Sequence, residues 1–163
     1  MRISFLLMLL LPIVALAQDC SLHKETDPYT KEIKLSTGFI GLRNGSVTID
    51  ADKDEIDLFF SVTGNDKCYD NSSTAAVFFE GMKAKMTYRN GGTMNCEGFF
   101  HFIFKNTAGT QSMLQKFGTQ KVNNIVFTGN NKVDTKVTLS PEQQTQLMTL
   151  ATCLINESKS LIK

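Results

Sequence analysis

The run Ile56-Asp57-Leu58-Phe59-Phe60-Ser61-Val62 sets Ile56, Leu58, Phe60 and Val62 two residues apart, with Asp57, Phe59 and Ser61 between them. Side chains alternate across a pleated strand, so this period predicts one face in a core and the other toward water. The same alternation predicts a strand in which Met82, Ala84, Met86 and Tyr88 face the core and Lys83, Lys85, Thr87 and Arg89 face solvent. Shorter alternating runs lie at Val47, Ile49 and Ala51, at Ala75, Val77 and Phe79, and at Val133, Val137 and Leu139, each bounded by Gly, Asn or Asp. Together they imply a system of antiparallel sheets.

Two runs break the alternation. In Phe99-Phe100-His101-Phe102-Ile103-Phe104 both faces are apolar, which predicts a central strand covered on both sides. In Val122 to Phe127, Ile125 and Phe127 fall on one face and Val122 and Val126 on the other, a pattern that also suits a covered strand. Glu80-Gly81, Asn90-Gly91-Gly92 and Gly129-Asn130-Asn131 each supply residues that tolerate positive φ, so hairpins are expected at all three.

Helix is expected twice. Thr110 to Phe117 brings Met113, Leu114 and Phe117 to one side, with Gly118 as a stop. Farther on, Ser140 is a good N-cap, Pro141 fits the first helical position and Gln143 completes a capping box. Leu147, Leu150, Ala151, Leu154, Ile155, Leu161 and Ile162 follow at helical spacing, an apolar stripe for a sheet. The fold class is therefore α+β and β-dominated, a sandwich or a partly open barrel of antiparallel sheets with a C-terminal helix packed on a sheet.

Residues 1–17 read as an export signal: Arg2 gives the positive start, Ile3 to Leu11 the apolar stretch, and Ala15-Leu16-Ala17 the small-residue cleavage site before Gln18. Gln18 and Asp19 separate that site from Cys20, so a lipid anchor on the cysteine is not expected. The expectation is a secreted or periplasmic protein with a single domain over 18–163. Arg2 is the only one of the seventeen basic residues in the leader, which leaves sixteen against sixteen acidic ones. A balanced chain without a basic run gives no footprint for nucleic acid, and no second apolar span predicts a membrane crossing. The sequons at Asn44-Gly45-Ser46, Asn71-Ser72-Ser73 and Asn156-Glu157-Ser158 matter only in a eukaryotic secretory pathway.

Four cysteines in an oxidising compartment imply two disulfides, with three possible pairings. At about 100° per residue, Cys153 lies roughly 140° from the centre of the helical stripe, toward the helix rim. Cys20, in a polar N-terminal arm, is a peripheral partner that would tie down both chain ends. Cys68 and Cys96 flank the Glu80-Gly81 hairpin and would clamp its outer ends. The favoured pairing is Cys20 with Cys153 and Cys68 with Cys96.

Signatures of chemistry are sparse. His101 sits in the Phe-rich strand and reads as a structural histidine, and His23 lies in the N-terminal arm. The sequence holds no Gly-x-Ser-x-Gly, His-Glu-x-x-His, phosphate loop or Cys-x-x-Cys, so no catalytic residue, metal site or cofactor is expected. Asp50 to Asp57 begins with calcium-loop spacing, but Glu55 stands where the loop needs Gly and Ser61 where it needs Glu. That segment reads as a solvated hairpin turn. With no Trp for a sugar platform or a lipocalin signature, most of the twelve Phe go to the core. Phe59 and Phe78 oppose the buried faces of their strands and mark either a contact patch or a second covered face, of which the covered face is favoured.

Asp27-Pro28-Tyr29-Thr30, Phe79-Glu80-Gly81-Met82-Lys83, Asn95-Cys96-Glu97-Gly98, the helix and strand over Leu114 to Val126, and Cys153 in the last helix make a recurring layout. It resembles small secreted β-rich proteins of unknown function from Gram-negative bacteria. The resemblance spans most of the mature chain and implies a β-rich domain without a known activity. The expected role is a non-catalytic binding or envelope-associated domain whose partner is an unknown protein or small ligand. A carrier of a hydrophobic ligand in a barrel-like cavity is the alternative, and a hydrolase using His101 comes third.

Overall fold

A computed structural model describes residues 20–64 and 67–162; the export signal expected over 1–17 lies outside them. The first five strands are β1 (His23–Thr26), β2 (Ile33–Ser36), β3 (Ile40–Leu42), β4 (Gly45–Ala51) and β5 (Glu55–Val62). There follow β6 (Thr74–Phe79), β7 (Met86–Arg89), β8 (Phe99–Lys105), α1 (Ser112–Thr119), β9 (Val122–Thr128), β10 (Asp134–Thr138) and α2 (Pro141–Ser158). They form two antiparallel sheets, ordered β1-β2-β4-β5-β8 with β3 also on β4, and β10-β9-β6-β7. Neither closes into a barrel.

The sheets meet face to face through the residues that the alternation marked. Ile56, Leu58, Phe60 and Val62 of β5 are all buried, as are Val47, Ile49 and Ala51 of β4 and Ala75, Val77 and Phe79 of β6. Aromatic rings bridge the layers: Phe60 and Phe100 lie 5.4 and 5.1 Å from Phe127 between centroids, and Tyr88 stacks on Phe102 at 4.7 Å. Phe117 of α1 plugs one end against Phe79, Tyr88 and Phe102. The α2 helix covers β2, β3 and β4, touches β9 and packs along α1. Its start is the expected capping box: Gln143 N donates to Ser140 Oγ, and Ser140 N donates to Gln143 Oε1.

Several expectations are corrected. The Phe99–Phe104 run is the edge strand β8 and not a central one; Phe100, Phe102 and Phe104 are buried, whereas Phe99 and His101 are half-buried and Ile103 is exposed. The long strand expected from Met82 shrinks to β7, which reaches β6 through a six-residue connection and not a tight turn. Asn90-Gly91-Gly92 crosses from one sheet to the other, because β7 and β8 belong to different sheets. A hairpin does join β9 to β10 at Gly129-Asn130-Asn131, with Lys132 taking the positive φ.

The polar N-terminal arm is itself a hairpin, β1 on β2, with His23 opposite Ser36. Val122 is buried beside Ile125 and Phe127, because the register slips opposite Phe78/Phe79 and the extra residue changes which face the strand end presents. Gly118 is no helix stop: it lies inside α1, where a Cβ would press on Thr152 of α2 at 3.2 Å, so its small size admits close helix contact.

Both disulfides form as the favoured pairing, Cys20–Cys153 and Cys68–Cys96. The rim placement of Cys153 is corrected, since it is 5% exposed.

Candidate functional site

The outer face of β5 and β8 carries the most chemically varied cluster. Pairing sets Phe59 opposite His101, Asp57 opposite Ile103 and Ser61 opposite Phe99. Asp57 is thus the diagonal neighbour of His101, within reach of its ring. His101 Nδ1 donates to Asp57 Oδ2 at 2.7 Å, with the two side chains 28% and 19% exposed. That bond leaves Nε2 as the acceptor of the neutral imidazole. Phe59 lies 4.8 Å from the His101 ring and 5.2 Å from Phe99, so two rings and an imidazole form a continuous strip.

The loop after β7 holds this strip in place. Asn90 is 3% exposed; its Oδ1 accepts from His101 N at 2.9 Å and Gly92 N at 3.2 Å, while its Nδ2 donates to Asp70 O at 3.1 Å. Gly91 N donates to His101 O at 2.9 Å. The outer edge of β8 is therefore paired at His101 by the loop, which blocks another strand from adding there. A Cβ on Gly92 would stand 2.6 Å from His101 Cδ2, so glycine lets the loop lie against the imidazole. Asp57 Oδ1 is buried without a hydrogen-bond partner.

Other expected residues lie elsewhere. Asp50 to Asp57 spans the ends of β4 and β5 and the turn between them, where Asp52 Oδ1 accepts from the backbone N–H groups of Asp54 and Glu55 at 2.8 and 2.9 Å. Asp50 pairs with Lys34 at 3.3 Å. Partial burial, followed by the charges of Asp52, Asp57 and Asp54, pushes the Glu55 carboxyl upward. Among the described residues no three His, Cys, Asp or Glu side chains are grouped to hold a metal ion. Phe78 is half-buried on the outer face of its sheet beside Asn124, as Phe59 is on the other, and the second covered face expected for them is not formed. Two surface grooves lie away from this cluster, one of about 710 Å³ beside Ser21, Thr37, Gln146 and Leu150, another of about 550 Å³ beside Ile33, Lys53 and Ile162.

Sequence reasoning weighed His101 and Phe59 separately and missed Asp57 and Asn90. The available signal for Asp57 was its outward position beside Phe59, but pairing β5 with β8 was needed to bring it to His101. No family model, curated protein or solved structure matches this chain. No helix is long and apolar enough to cross a membrane among the described residues.

Proposed function

We propose that this chain is a secreted or periplasmic, non-catalytic binding domain that meets a protein partner through the outer face of β5 and β8. The observation that carries the reading is the half-exposed Phe59–Phe99–His101 strip, set on a sheet whose opposite face is solid core. Aromatic rings supply contact area at small entropic cost, and hydrogen bonds on both flanks of the strip fix it before binding. A pleated face of this kind offers area without enclosure, which favours a protein over a small ligand, since small ligands bind in concave sites. Two intramolecular disulfides fit the oxidising compartment that the leader implies. The resemblance to secreted β-rich proteins of Gram-negative bacteria favours a partner in the cell envelope.

The carrier reading is weaker, because the space between the sheets is occupied by Phe60, Tyr69, Phe100, Phe102 and Phe127. The hydrolase reading has one observation in its favour: an acid orients a histidine, as the base of a triad requires. Capture from a native envelope fraction, using wild type beside Phe59→Ser and Phe78→Ser, separates the readings. A protein retained by wild type and Phe78→Ser but lost with Phe59→Ser supports the proposal. Equal retention by all three refutes it, as does ester turnover that His101→Gln abolishes.

A further inference from the structure

The two disulfides differ in what the backbone does around them. Tyr69 N donates to Asn95 O at 2.8 Å and Asn95 N to Tyr69 O at 2.9 Å, so these two residues exchange both bonds across an isolated antiparallel bridge. One step outward, Cys68 and Cys96 stand directly opposite each other at a position that this ladder leaves without hydrogen bonds. Their Cα atoms are 3.9 Å apart, closer than the roughly 4.4–6.8 Å usual for a disulfide. Strand pairing therefore opposes relaxation of the bridge.

The surroundings also favour opening without unfolding. Asn95 holds Phe99 twice, its Oδ1 accepting from Phe99 N and its Nδ2 donating to Phe99 O, both at 3.0 Å, and Asn130 N donates to Cys68 O at 3.2 Å. None of these bonds needs the sulfur link. Cys96 is exposed and its partner Cys68 half-buried; in the other bridge Cys20 is exposed as well, but its partner Cys153, on α2, is buried, so attack there would have to expel a buried thiolate.

We propose that Cys68–Cys96 is a thiol–disulfide exchange site, opened reversibly by a dithiol reductant while Cys20–Cys153 stays closed. A thiolate of the reductant attacks the exposed Cys96 Sγ, the S–S bond breaks, and Cys68 leaves as a thiolate that takes a proton from water. The reductant's second thiol then attacks its own sulfur in the mixed disulfide and releases Cys96. The protein disulfide gains two electrons and two protons, and the dithiol becomes a disulfide. Because Tyr69 and Asn95 keep the two thiols opposed, oxidation restores the same pair.

The test uses the folded, oxidised chain, exposed for graded times to dithiothreitol without denaturant, alkylated and mapped by peptide mass spectrometry. Cys68 and Cys96 should acquire label at least about tenfold faster than Cys20 and Cys153, with far-ultraviolet dichroism unchanged. In a parallel reaction with reduced glutathione, the mixed disulfide should form on Cys96. Simultaneous opening of both bridges, earlier opening of Cys20–Cys153, labelling that follows loss of dichroism, or glutathione on Cys68 would each overturn the proposal.

Discussion

Truncating Asn90 to alanine separates two readings of the segment after β7. Were Asn90-Gly91-Gly92 an exposed hairpin turn, Asn90→Ala would change stability by no more than about 0.5 kcal/mol. In the structure the side chain is buried and makes three sound hydrogen bonds, to His101 N, Gly92 N and Asp70 O, with a fourth to Gly92 O too long, at 3.4 Å, to count fully. At about 1 kcal/mol net for each sound bond, the loss is about 3 kcal/mol. At roughly 3 °C per kcal/mol for a domain of this size, Tm should fall by about 10 °C. Urea unfolding at neutral pH measures the change directly, with an unchanged m-value showing that the denatured state is unaffected. Asn90→Asp should not rescue the loss, since it keeps an acceptor for His101 but turns a second oxygen toward the Asp70 carbonyl. A loss below about 1 kcal/mol would refute the assignment of Asn90 as the joint between the sheets.

Replacing Cys20 and Cys153 together by serine should cost about 5 kcal/mol and replacing Cys68 and Cys96 about 3.5, because loop entropy grows with the enclosed length; urea midpoints of the two variants give the order. Ser140→Ala removes half of the capping box and should lower stability by about 1 kcal/mol in the same assay, against a negligible change for the exposed Thr145→Ala. Hydrogen bonds from the Ser72 hydroxyl and backbone, and then from Ser73, hold the Asp70 carboxyl below its usual range. The resulting stability is complete above about pH 4 and disappears as pH falls through the lower folded value, so Asp70→Asn should flatten the acid limb of a Tm-against-pH curve. Glu55 has the opposite sign: its contribution is present below about pH 4 and lost as pH rises through the raised folded value. Glu55→Gln should therefore raise Tm at neutral pH and leave it unchanged in acid.

What could be read in the sequence followed from local rules. Period two marked β4, β5 and β6, because one face of each is buried and the register allows no slip without exposing it. The Ser140 box marked the start of α2, because its bonds join residues only three apart. Misreadings arose where a distant segment supplied the missing partner. Phe99 and His101 resembled a second buried face, yet they are half-covered by Phe59 on β5 and by the Gly91-Gly92 loop. His23 to Thr26 has no apolar face to signal a strand; it forms one because β2 offers it a full ladder of backbone bonds. Val122 was placed on the wrong face because a single extra residue reverses parity, and composition does not reveal where a strand carries one.

The same logic explains how a conspicuous candidate site arises in a chain without catalytic motifs. An edge strand must satisfy or hide its free backbone groups, and β8 does so through the Asn90 side chain and Gly91 N–H, both delivered by the crossover from the other sheet. That crossover has to pass close to β8, and glycine at 92 permits it, so the loop settles against His101. Once packed there, the imidazole can turn Nδ1 only toward a partner on its own sheet face, and the diagonal Asp57 is within 2.7 Å. Protection of the edge is thus sufficient to orient His101. The proposed binding role then rests on what edge protection does not require: the half-exposed Phe59 and Phe99 rings, which neither cap a backbone group nor fill the core. Replacing those rings tests for binding, whereas replacing His101 also removes the ring against which the Gly92 loop lies.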